Sequence, residues 1–120
     1  MAEEQPVLIL PHGKKIVNLT PHPIRVIGEN DQVILEIPRN TSPLRLNEER
    51  TDQGTISGVR VVGKSLSPAG GLPPQEEGTY YIVSLVIAQM YKRPDFLVPD
   101  DPVRDEEGRI IGCRRFARIL

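Results

Sequence analysis

The chain has 120 residues, 38% hydrophobic and 26% charged, which suits one soluble globular core built without staples. Fifteen basic residues against sixteen acidic ones leave a formal charge of −1, which excludes a broad electrostatic grip on nucleic acid or on a membrane surface. Cys113 is the only cysteine, so no internal disulfide forms, and no apolar run reaches the roughly 18 residues of a membrane span.

Residues 1–6 are polar and read as a loose end of a single domain covering 1–120, and Met1-Ala2-Glu3-Glu4 has the wrong charge for a secretory signal. A reducing cytoplasm is the expected compartment. Val7-Leu8-Ile9-Leu10 predicts a short strand before Pro11, and Ile16 to Thr20 a second one. After the Pro21-His22-Pro23 kink, Ile24 to Ile27 and Val33 to Ile37 flank the turn sequence Gly28-Glu29-Asn30-Asp31 and predict an antiparallel hairpin. Leu44-Arg45-Leu46 alternates as a short strand, Glu48 to Gly54 is polar and exposed, and Ile56 to Val62 alternates around Gly58, read as a bulge or a close backbone approach. Ser65 to Gly78, rich in proline and glycine, reads as an irregular surface loop.

The organising stretch is Thr79 to Tyr91. Its first half is β-branched and aromatic and predicts a central strand. Ser84 then caps a helix over Leu85 to Lys92, with Val86, Ile87, Met90 and Tyr91 expected on the core side and Pro94 as the stop. Phe96-Leu97-Val98 follows, then Pro99-Asp100-Asp101-Pro102. A closing hairpin runs from Val103-Arg104 through Asp105-Glu106-Glu107-Gly108 to Arg109–Arg114. The expected fold is α+β, a mostly antiparallel β-sheet with one short core helix following the central strand.

Three places offer binding chemistry. Prolines on both sides of His22 fix its backbone, and Asn18 and Thr20 share a strand face beside it; the alternative is that these side chains satisfy turn backbone groups. Ser84 opens a helix after a strand, where N–H groups favour an anion, although a plain cap serves equally and no glycine-rich phosphate loop precedes it. Arg109, Arg114, Arg115 and Arg118 crowd the last segment around Phe116. An arginine fork beside a ring suits a nucleotide, but alternation sets Arg115 on the face opposite Arg114, and a charged edge strand explains the same residues. Enzyme signatures are missing. His12 and His22 lie in separate turns without metal-ligand spacing, and Cys113 lacks a recognisable partner and reads as core. Neither a cofactor nor a metal is expected.

Asn18-Leu19-Thr20-Pro21-His22-Pro23-Ile24, Gln75 to Ser84 and Val103 to Arg114 together resemble a family of small phage and prophage proteins. In that family an "NLTPH" strand precedes "PEPQEGTxYIVS" and "VRDxxGRxxGCR". The resemblance spans about residues 16–116, with "PPQEEG" here in place of "PEPQEG". It implies a phage-encoded protein in the host cytoplasm. One class of such proteins looks like anti-defence sponges that hold ADP-ribose-derived immune signals without cleaving them.

Two functional expectations follow. The first is a non-enzymatic protein that sequesters a small anionic nucleotide through Asn18, Thr20, His22, Ser84, Arg109, Arg114, Arg115 and Phe116, as a homodimer or larger homo-oligomer. The alternative is a structural or protein-interaction component of a phage, with a small nucleotide-cleaving enzyme third.

Overall fold

The structure is a computed structural model that describes residues 5–120. Residues 1–4 of the expected loose end lie outside the described residues, while the Pro6 carbonyl accepts the Asn18 N–H at 2.7 Å. The strands are β1 Val7–Ile9, β2 Lys15–Asn18, β3 Ile24–Ile27, β4 Val33–Ile37, β5 Leu46–Ile56, β6 Val59–Pro68, β7 Thr79–Ile82, β8 Phe96–Arg104 and β9 Ile110–Ala117, with one helix, α1, at Leu85–Tyr91. They form two compact units, Leu44–Pro74 and the rest of the chain.

The larger unit corrects the expected α+β, mostly antiparallel fold. It is mostly β, a mixed sheet in the order β1-β2-β7-β8-β9-β3-β4 that curls into a nearly closed barrel. Three neighbour pairs are parallel (β2 with β7, β7 with β8, β3 with β9) and three are antiparallel (β1 with β2, β8 with β9, β3 with β4). The helix explains one of the parallel pairs. It carries the chain from the end of β7 back to the start of β8, so the next strand must run the same way. Ile16, Ile24, Ile37 and Ile82 form a core cluster that Leu8 of β1 and Leu35 of β4 both join, so the two edge strands close over one interior.

At β7, Tyr81 and Ile82 are both buried although their side chains leave opposite faces. A strand covered on both sides reads as an unbroken apolar run, which is why the Thr79–Val83 stretch stood out. Ser84 caps α1 as expected, its Oγ accepting the Ile87 N–H at 3.4 Å. The helix ends at Lys92, which is left-handed at φ 47° and returns its N–H to the Ala88 carbonyl, two residues before Pro94. Its core face is narrower than expected. Ile87 and Ala88 are buried, but Leu85, Val86 and Met90 are exposed.

β8 continues through Pro99-Asp100-Asp101-Pro102 with an irregularity at Asp101, whose φ is 58° and which has no partner in the register with β9. Its pairing with β7 stops at Leu97, so the later residues pair only with β9. Gly112 of β9 answers a close approach. A Cβ there would sit 2.8 Å from the Arg25 carbonyl oxygen and from Ile27 Cδ1.

The smaller unit is a long antiparallel hairpin. β5 and β6 pair from Leu46 opposite Pro68 to Ile56 opposite Val59, with one register shift between Asp52 and Thr55. Gly58 is neither bulge nor close approach. With Ser57 it makes a two-residue turn in which both φ angles are positive, 49° and 78°. The polar stretch Glu48–Gly54 and the first residues of the expected loop at Ser65 are strand, not connector.

Candidate functional site

Asn18 ends β2 fully buried, and its amide is completely used. Nδ2 donates to the carbonyls of His22 at 2.8 Å and Pro38 at 3.0 Å, and Oδ1 accepts the Thr20 N–H at 2.9 Å and hydroxyl at 2.7 Å. These are all the bonds a primary amide makes well. Asn40 adds a second tie through its Nδ2 to the Asn18 carbonyl at 3.0 Å. The structure thus brings Asn18, Thr20 and His22 together as a clasp between β2, the proline kink and the end of β4. His22 joins through its backbone while its side chain is exposed. Ser84 takes no part in these bonds and is the cap of a seven-residue helix, too short for a strong dipole.

The arginines of the last hairpin are spread. Arg109 folds onto Asp105 at 3.2 Å and Glu107 at 2.7 Å in the turn. Asp105 also accepts the N–H groups of Glu107 and Arg109, and these bonds, that from Arg109 first, hold its carboxyl below the usual carboxylate range. Arg114 donates to the Gly28 carbonyl and to Asp31 at 3.2 Å, and Arg115 to Asp101 at 2.6 Å. Phe116 packs against the Ile16–Ile24–Ile37–Ile82 core, which takes part of its ring out of reach of a base. Although Arg114 and Arg115 leave β9 on opposite faces, both side chains reach the rim of one cavity of about 490 Å³, with Glu29, Ile34 and Asp101. Of the eight expected ligand residues, these two line this cavity together.

A second polar constellation escaped the sequence reading. Arg93 grips Asp95 with two bonds, Nε to Oδ1 at 2.9 Å and Nη2 to Oδ2 at 2.6 Å, and its guanidinium lies 4.3 Å from the centre of the Phe96 ring. Tyr81 meets the same ring edge-on, with centroids 6.2 Å apart. The hydrogen bonds to Asp95 raise the Arg93 pKa further, and burial, aided by Glu76 and Asp95, pushes the Tyr81 phenol up. The available signal was Arg93-Pro94-Asp95. A proline between opposite charges fixes the bend that lets them face each other, but in sequence Pro94 reads only as the stop of the helix. Asp95 also lines a cavity of about 790 Å³ with Glu76, Glu77, Thr79 and Arg118, and Arg118 donates to the Pro94 carbonyl at 2.6 Å.

Among the described residues no three His, Cys, Asp or Glu side chains gather as metal ligands, and no buried side-chain polar atom lacks a partner. Cys113 is buried in β9 and its thiol is pushed up by desolvation, the opposite of an activated nucleophile. No helix among the described residues is long and apolar enough to cross a membrane. The chain matches no family profile, no curated protein and no solved structure.

Proposed function

We propose that the chain is a protein-interaction component that docks through the β5–β6 hairpin and performs no catalysis. One observation carries this reading: from Leu44 to Pro74 not a single residue is buried. A two-stranded ribbon with no covered face is marginal in water, because it orders its backbone without removing apolar surface to offset the entropy lost. Yet this ribbon keeps Ile56, Val59, Val62 and Leu66 exposed, and it has two unpaired edges. Such an element is completed when another chain covers it. The motif resemblance supports a phage or prophage origin and action in the host cytoplasm.

The test is site-specific photo-crosslinking in the producing cell, with the reactive residue at Val62 or Thr51 of the hairpin, or at Glu106 in the far turn. Docking predicts crosslinks to protein from the two hairpin positions and not from 106. Equal yields from all three positions defeat the reading.

The cavity between Arg114 and Arg115 favours a second reading, the sequestration of a small anionic nucleotide of the ADP-ribose type, bound intact. Two guanidinium groups at one rim can meet a pyrophosphate if it displaces Asp31 and Asp101. Ligand at about a hundred times its dissociation constant stabilises a fold by roughly 2.7 kcal/mol, several degrees of melting temperature here. ADP-ribose and its cyclic derivatives should give that shift with the wild type and lose it with Arg114→Ala. A panel without any shift removes this reading.

A further inference from the structure

We infer that the partner of the hairpin is a second copy of this chain, added head to tail, with the outer edge of β6 pairing antiparallel with the outer edge of β5 from the next copy. The inference rests on the docking reading above and names its occupant.

The charges on the two edges decide the arrangement. β5 carries Glu48, Glu49 and Asp52 against the single Arg50, whereas β6 carries Arg60 and Lys64 and no acid. Setting β6 against β6 would bring only cations together. Setting β5 against β5 would gather an excess of carboxylates. Setting β6 against β5 joins opposite net charges. These two strands already make that pairing within one chain, over nine residue pairs in which Lys64 Nζ sits 3.3 Å from Glu48 Oε1. A neighbour's β5 laid on the free side of β6 repeats a match the sequence has made once.

The apolar residues fit the same arrangement. Val62 and Leu66 share a face of β6, and directly across the hairpin they meet Asp52 and Glu48 rather than apolar residues. In a continuous sheet every side chain acquires a neighbour on its second side, and Ile56, Val59, Val62 and Leu66 lose water without a further layer. A head-to-tail contact is heterologous, so it closes into a ring or grows as a filament according to the rotation between copies.

Sedimentation velocity on the purified chain tests this. The wild type should form species heavier than the 13.4 kDa chain, increasing with concentration. Arg60→Glu weakens the β6 edge and Glu49→Lys the β5 edge, and both leave the Lys64–Glu48 bridge in place. Each variant alone should stay monomeric. Mixed, they should assemble again, because the intact β6 edge of one fits the intact β5 edge of the other and the two reversed edges carry opposite charges to each other. A wild type that stays at the monomer mass at every concentration overturns the inference, as does an assembling wild type whose variants do not assemble on mixing. If that monomer still crosslinks another protein through Val62, self-assembly fails and docking stands; if the hairpin crosslinks nothing, both fail.

Discussion

Asn18→Ala separates a structural clasp from a ligand residue. The substitution removes four hydrogen bonds, to the His22 and Pro38 carbonyls and from the Thr20 N–H and hydroxyl. The losses are unequal. The Thr20 hydroxyl has the His22 carbonyl 3.0 Å away as a second acceptor, and His22 is exposed enough for water to replace the amide there. The Pro38 carbonyl and the Thr20 N–H are half-buried and lose a partner outright. At about 1–3 kcal/mol for each of these two groups the total is about 2–6 kcal/mol. For a fold of this size that lowers the melting temperature by roughly 8–24 °C, read by calorimetry or by the denaturant midpoint. Asn18→Asp adds a pH signature. A carboxylate facing two carbonyls is disfavoured, so its folded pKa lies above the unfolded one. Its stability is therefore fully present below the unfolded pKa and is lost as pH rises through the folded value. The Asp variant should recover part of the loss in acid, and the Ala variant should not. A melting temperature for Asn18→Ala within about two degrees of wild type would refute the clasp and return Asn18 to the ligand set.

Arg93→Met should destabilise by about 3–5 kcal/mol, read by calorimetry, because the Asp95 side chain, 6% exposed, loses its bidentate partner. Gly112→Ala should cost about 1–3 kcal/mol by forcing β9 away from Arg25 and Ile27, measurable as a lower denaturant midpoint with an unchanged slope.

Local pattern reached the sequence reading and long-range pairing did not. The hairpin of β3 and β4, the central strand and the Ser84 cap were legible because each is set by neighbours in sequence. The parallel pairs were not, since β2 pairs with β7 across some sixty residues that carry no mark of the partner, which is non-local information by nature. The strand–helix–strand run from Thr79 to Val98 did imply one parallel neighbour and went unused. The long hairpin stayed hidden because Glu48 to Gly54 has the composition of a loop. Solvated on both faces, that stretch carries no alternation to read. For the expected site, the Asn18 and Thr20 side chains do meet, but at the backbone of His22 and not at its imidazole, and proximity in sequence does not distinguish bonds to a ligand from bonds to the chain's own turns.

Hydrogen exchange along the full chain tests the claim that the hairpin is an unfinished element awaiting a partner strand. With the protein diluted until it is monomeric, amides from 46 to 68 should exchange far faster than those of Tyr81 and Ile82 in β7. In the associated state the hairpin amides should slow by at least about tenfold while β7 is unchanged, since edge groups exposed to water have become paired. Hairpin amides already as protected as β7 in the monomer, or an associated state that leaves them fast, would contradict it.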